Sequence, residues 1–375
     1  MKILFVTTVS STVDAFLIPH IRLLVRQGHQ VDVAFNIIRE VNPELIKLGC
    51  EIHDIKFQRS PLKKQNLNAY KKIKKIVKNI GYDIIHTHTP IASLLTRVAC
   101  RKMSNLKILY TAHGFHFFKG APIKNWLLFY PMEKIAAKYT DAIITMNEED
   151  YVFANKFKLK SKNSIYKIHG VGIELNKFSV QDSERKSSLR REYSYNNEDF
   201  ILFFAAELNY NKHQDLLINA VYQIINKIPN VKLLLAGEGP LKDSYRELAN
   251  KFGISDSVNF LGYRNDIPNL LAISDIGVSS SRREGLPVNI LEAMATGLPI
   301  IATECRGNRD LVHEGENGYI LRENDIEGFA RAIEELYKSQ NLRKTFGENS
   351  LMFVKAYSLN DVLIEMRNIY LTMIK

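Results

Sequence analysis

Glu284 and Glu292 stand eight positions apart in SSSRREGLPVNILEAMATGLPIIAT, residues 279–303. The pattern reads as a strand end, a polar loop, one short helix and a new strand. Pro287 suits the first helical turn, Gly297 its stop, and Pro299 prevents continuation. A helix start offers unpaired N–H groups and a partial positive charge, which favour a phosphate. Carboxylates accept hydrogen bonds from sugar hydroxyls. The combination points to a bound nucleotide sugar, although an ordinary surface helix with two solvated glutamates fits the same pattern.

Other loops carry compatible chemistry. Lys212 follows an apolar run, where its ammonium can reach a diphosphate, and Arg306 and Arg309 add positive charge in a later loop. Gly237 and Gly239, in AGEGP, form a Gly-x-Gly turn that permits close approach of phosphate, although tight strand–helix turns need glycine anyway. His113 ends another apolar run and precedes Gly114, so an imidazole there can hydrogen-bond a reacting sugar. His20, His86, His88 and His116 also crowd the first half. Imidazole is a common metal ligand, yet no carboxylate accompanies these residues at ligand spacing. His86 and His88 on an extended chain are expected to point their rings to opposite faces, so no metal site is expected. No Asp-x-Asp occurs either. Diphosphate charge then falls to Lys212, an arginine and helix termini, without a metal or other cofactor.

These loops need elements to hold them. Nearly continuous apolar runs at residues 2–8, 31–35, 83–86, 107–112 and 142–145 alternate with helical patterns, as in a doubly wound α/β sheet. Residues 10–12 read as a polar turn after the first run. The pattern repeats at 201–205, 231–236, 258–261, 276–278 and 299–302. Residues 179–197 read as a linker with a surface helix. Expected domains are 1–175 and 176–358, with 359–375 a helix packing back on the first. Two such sheets imply a cleft between their carboxyl edges, where ligands bind.

The 375 residues carry a net charge of +11. Residues 1–170 hold 27 Lys/Arg against 12 Asp/Glu, and the remainder 24 against 28. A polyanionic surface facing the first half follows, either membrane or nucleic acid; the acidic second half and the lack of a base-reading element disfavour nucleic acid. Residues 63–78 contain seven lysines, Lys71 and Lys75 among them, beside the apolar face of Tyr70, Ile73, Val77 and Ile80. Residues 115–132 mix six aromatic residues with lysines, including Phe117, Phe118, Lys119 and Trp126. Both stretches suit an anionic membrane interface, with core aromatics and a solvated lysine face as the plainer reading. No apolar run approaches the length of a bilayer span. No signal peptide is expected from MKILFVTT, and the three scattered cysteines fit neither a disulfide framework nor a zinc site. A reducing cytoplasm is the expected setting.

Glu284 and Glu292 in EGLPVNILEAM resemble the E-x7-E signature of retaining GT-B glycosyltransferases of family four. TAHGF at 111–115, AELNYNKH at 206–213 and AGEGP at 236–240 extend the resemblance over essentially the whole chain. HGFHFFKGAP and CRGNRDLV resemble bacterial enzymes of exopolysaccharide and capsule assembly, which often use UDP-N-acetylhexosamines. The resemblance implies two Rossmann-like domains facing each other across a cleft. It implies a UDP-sugar donor, an undecaprenyl-diphosphate-linked acceptor, and a peripheral position on the inner face of the plasma membrane. By it Glu284 contacts the donor sugar, Glu292 the ribose and Lys212 the diphosphate, while His113 bonds the transferred sugar. Gly285, Leu286 and Pro287 cradle phosphate with the helix start. Two departures stand out. Ala206-Glu207 replaces the Gly-Arg of many relatives, leaving Arg306 or Arg309 as substitutes, and Ser10-Ser11-Thr12 replaces a glycine-rich loop. A sugar-nucleotide epimerase and a non-catalytic nucleotide-sugar binding protein are the alternatives.

Overall fold

The computed structural model describes the chain apart from Arg59, Leu62, Asn163 and Lys375. Contacts divide it into two compact units, Met1–Gly172 with Asn360–Lys375, and Ile173–Leu359. The first unit is built on seven strands: β1 (Lys2–Val9), β2 (Gln30–Asn36), β3 (Ile52–Asp54), β4 (Ile84–His88), β5 (Lys107–Ala112), β6 (Ala142–Thr145) and β7 (Ile165–Lys167). All pair in parallel, in the order β3-β2-β1-β4-β5-β6-β7. Ile3, Leu4, Phe5 and Val6 are buried because helices cover both faces of the sheet, and so the strand reads as an apolar run without alternation.

Strand order reverses between β1 and β4, and the end of β1 is joined there to the start of the loop leaving β4. Thr8 donates its N–H to Thr89 Oγ1 at 3.0 Å, and the two hydroxyls lie 2.7 Å apart. Residues 10–12 do not form the expected polar turn. They are already helical, and a wide turn at Val13–Leu17 carries the chain into the helix Ile18–Arg26. An i→i+5 turn of this kind absorbs an extra residue within an otherwise α-helical path. The C-terminal helix Leu359–Ile374 belongs to the first unit from residue 360. Glu365 accepts the His169 backbone N–H at 3.0 Å, and Tyr370 is buried beside His86.

The second unit carries β8 (Phe200–Ala205), β9 (Val231–Ala236), β10 (Val258–Gly262), β11 (Ile276–Ser279), β12 (Ile300–Thr303) and β13 (Gly318–Leu321). Their order, β10-β9-β8-β11-β12-β13, is again parallel with one reversal, between β8 and β11. Residues 179–197 hold the expected helix but lie inside the second unit and do not link the two. The helix Ser183–Glu192 docks through buried Arg190, whose guanidinium donates to the carbonyls of Ile273, Asn197 and Asp199 and to the Asp275 carboxylate. A hydrogen-bonded arginine of this kind anchors a segment whose composition is almost wholly polar.

Candidate active site

In an open parallel sheet, ligands bind outside the carboxyl ends of the strands, at the point of reversal. In the second unit that point receives the loops after β8 and β11. They are sewn together by backbone and side-chain bonds. Arg282 N–H donates to Asn211 O at 2.8 Å, Asn211 Nδ2 to Arg283 O at 3.0 Å, and Ser280 Oγ to Lys212 O at 2.7 Å. The result is that Lys212 Nζ meets Glu284 Oε1 at 2.5 Å, both side chains mostly shielded from solvent. The loop after β12 closes on the same place. Arg306, itself buried, donates from Nε to the Glu284 carbonyl at 3.0 Å. Gly307 has φ +83°, and a Cβ there would lie 2.5 Å from Gly285 O, so only glycine permits this approach. Arg309 is turned toward Glu304 at 3.8 Å.

Pro287 lies one residue outside the helix Val288–Ala295, with φ −78° and ψ 114°. Its ring still fixes the entry angle, but the helix begins at Val288 and not at the proline. Part of that helix start is already satisfied, since Ile290 N–H donates to Asn289 Oδ1 at 3.0 Å. Glu292 sits on the second turn, and burial pushes its carboxyl up to about 7. Gly297, at φ +77°, follows the helix end as its stop. Gly237 and Gly239 serve the loop of Lys212 directly. A Cβ on Gly237 would fall 2.0 Å from Ala206 O, and one on Gly239 2.2 Å from Leu208 O. Their smallness lets the backbone of 206–208 lie on the turn, as Leu208 N–H bonding to Glu238 O shows.

Composition and spacing did not single out Arg283. Among the described residues its guanidinium has no hydrogen bond or ion pair. Burial and neighbouring Arg306 both disfavour its charge, and Glu284 only partly compensates. A desolvated cation beside Glu284 and Arg306 suits an incoming anion. The signal available in sequence was the Arg-Arg pair immediately before Glu284.

In the first unit four histidines cluster, with His20, His86 and His88 buried and His113 half-buried. Residues two apart on a strand share a face, so the expected separation of His86 and His88 fails: their ring centroids are 4.2 Å apart. His86 lies 2.6 Å from Tyr370 Oη through Nδ1 and 2.7 Å from Thr111 Oγ1 through Nε2. His88 Nδ1 is 3.0 Å from His113 Nε2, and His20 Nε2 is 3.2 Å from Val171 O. Desolvation lowers the pKa of all four rings, that of His113 to about 4. A narrow cavity of about 10 Å³ adjoins them, lined also by Phe5, Leu17, Met146, Ile168 and Met366. His116 stands apart, against the Phe129 ring. Among the described residues, metal-ligand spacing occurs only at Asp32, Glu51 and His53. There Tyr82 donates to Asp32 at 2.8 Å and lies 3.0 Å from His53 Nε2, a closed network.

The aromatic stretch is a correction. Phe115 and Phe117 are buried and stacked at 4.8 Å, and Phe117 also meets Trp126, Tyr130, Phe153 and Phe157. Phe117 therefore belongs to a core cluster, with Trp126 packed against it and Phe118 only partly exposed. The helix Ile123–Ala137 instead turns the aliphatic side chains of Ile123, Leu127, Leu128 and Ile135 outward, with exposed Lys124 and Lys134 among them. Lys119, Lys71 and Lys75 are exposed, while the apolar face of the helix Gln65–Ile80 is spent on the core through Ala69, Ile73 and Val77. No helix among the described residues is long and apolar enough to cross a membrane.

Residues 185–351 match the family described as glycosyl transferases group 1, and residues 2–147 the one described as glycosyl transferase 4-like. The chain is 41% identical over 371 residues to putative glycosyltransferase EpsD of Bacillus subtilis, covering 98% of this chain and 96% of that protein. It is 31% identical over 263 residues to the Escherichia coli UDP-Gal:alpha-D-GlcNAc-diphosphoundecaprenol alpha-1,3-galactosyltransferase, covering 69% and 67%. The crystal structure of Anabaena Alr3699/HepE in complex with UDP-glucose matches with a TM-score of 0.80 at 19% identity, over 99% and 100% of the chains.

Proposed function

The chain belongs to family four of the glycosyltransferases and has their GT-B architecture of two Rossmann-like domains, and on that premise we propose that it moves an N-acetylhexosamine from a UDP-sugar to a lipid-linked or saccharide acceptor, with retention, in cell-surface polysaccharide synthesis. One observation carries the reading. The reversal point of the second sheet holds Lys212 against Glu284 at 2.5 Å. A diphosphate draws the ammonium away, and the freed carboxylate then accepts hydrogen bonds from the donor sugar. Glu292 takes the ribose hydroxyls, and His113 is the first unit's contact to the transferred sugar. As the sugar–oxygen bond breaks, the acceptor hydroxyl attacks on the same face and its proton leaves to solvent. Charge growing on UDP is stabilised by Lys212 and the neighbouring guanidiniums, with no metal required.

The acceptor class rests on the Escherichia coli relative, whose name specifies a diphosphoundecaprenol substrate. It agrees with a basic first unit working at the inner face of the plasma membrane. The test is turnover of UDP-sugars in EDTA with Lys212→Ala and Glu284→Ala. Each variant is expected to fold and to lose about a hundredfold in kcat, the scale of one removed charge-stabilising donor. Wild-type turnover in both variants would reject the site, and dependence on added divalent ion would reject the metal-free reading.

A further inference from the structure

We infer that His88 holds His113 in the tautomer protonated at Nδ1, so that His113 meets the sugar as a hydrogen-bond donor and not as a general base. The role of His113 toward the sugar rests on the reading above; its tautomer does not. His88 Nδ1 and His113 Nε2 are 3.0 Å apart, so one hydrogen lies between them. Both rings are neutral at pH 7, since burial depresses their proton affinity. Only two arrangements remain. In one, His88 Nδ1–H donates, His88 Nε2 is a bare lone pair, and His113 carries its proton on Nδ1. In the other, His113 Nε2–H donates, and the second proton sits on His88 Nε2.

The surroundings of His88 Nε2 decide between them. That atom is buried and has no hydrogen-bond partner. Phe5 stacks on the ring, with centroids 5.7 Å apart, and the adjoining cavity is lined largely by apolar side chains. The polar groups that face the cluster are committed elsewhere. His86 is engaged through both nitrogens by Tyr370 and Thr111, and His20 Nε2 by the Val171 carbonyl. A stranded N–H is the costlier orphan, because a bare lone pair is tolerated more often in protein interiors. The first arrangement therefore holds, and His113 Nδ1–H is left to donate outward. A ring so fixed cannot accept the acceptor's proton at that atom.

Two-bond ¹H–¹⁵N correlation spectra of histidine-labelled protein report the tautomer directly. His113 is expected to be protonated at Nδ1 in the wild type and to lose that restriction in His88→Phe. His88→Gln, whose amide N–H can reach the same acceptor, should restore it. In turnover, His88→Phe should lower kcat about tenfold, as outer-shell changes commonly do. KM for the donor should barely change, and kcat of the wild type should show no ionisation of His113 between pH 6 and 8. A proton on Nε2 of His113 in the wild type would overturn the inference, as would an unchanged tautomer in His88→Phe. Full activity in His113→Ala would instead remove the catalytic role of His113 and leave the tautomer result standing.

Discussion

Glu292 is the carboxylate of the second unit whose surroundings most alter its ordinary chemistry. Burial alone raises its carboxyl from 4.5 to about 7, so near neutral pH it is about half protonated. Ribose hydroxyls donating to the carboxylate favour the charged form and must lower that value. Binding of UDP at pH 7 should therefore release a fraction of a proton. Calorimetry in buffers of different ionisation enthalpy should show it, and Glu292→Gln should abolish the difference while weakening UDP roughly tenfold, the scale of a lost charged hydrogen bond. Equal enthalpies in all buffers for the wild type would count against Glu292 as the ribose ligand. The stability sign is opposite to that of a paired carboxylate. The folded form holds its proton to about 7 and the unfolded form only to 4.5, so stability present below 4.5 is lost as pH rises through 7. Glu292→Gln should then be the more stable protein at pH 8.

At the scale of elements, the helix Ile123–Ala137 turns aliphatic side chains outward, Ile123 and Leu127 each more than 70% exposed. Each such side chain gains about 1.5–3 kcal/mol on full burial, and each nearby lysine adds roughly 1 kcal/mol on anionic lipid. Ile123→Glu with Leu127→Glu should cut vesicle binding at least tenfold. Lys71→Glu with Lys75→Glu should remove the preference for anionic over neutral vesicles. Sedimentation measures both, and equal binding of all forms to both vesicle types would exclude this surface. The aromatic residues of the same stretch were expected outside because their number looked too large for one buried stripe. Burial comes instead from several elements converging, with Phe153 and Phe157 arriving from elsewhere in the chain, which local composition cannot express. The central strands were legible as long apolar runs for the complementary reason, that both their faces are covered. Missed were β3, β7 and β13, strands of three or four residues at sheet edges, too short for any period to register. Lys212 and Glu284 were legible as candidates because they stand in loops between a strand and a helix, and Glu292 because it lies in the short helix that follows. Arg283 was not, since its meaning depends on what fails to pair with it.

Across the molecule, the buried imidazoles concentrate in the first unit. His20, His86, His88 and His113 are all depressed below 6.5 by burial. The unfolded chain therefore binds more protons than the folded one below that value. Stability is full above pH 6.5 and falls as pH drops toward 4, each ring adding up to about 1.4 kcal/mol per pH unit. Differential scanning calorimetry from pH 7.5 to 5 should show the first unit melting earlier with acid while the second moves less. His88→Phe should flatten the first unit's acid dependence, and a parallel decline of both units would refute this assignment.

Tyr370, bonded to His86 across 284 positions of the chain, has a consequence for synthesis. A ribosome delivers residues 1–172 early, then makes the whole of the second unit, and only afterwards supplies the helix that completes the first. The second unit, one uninterrupted segment, can close while translation continues. The first must wait, its histidine cluster lacking Tyr370 until the helix Leu359–Ile374 has emerged. A truncation before residue 360 thus removes a distant helix and leaves the unit that the chain starts with unfinished.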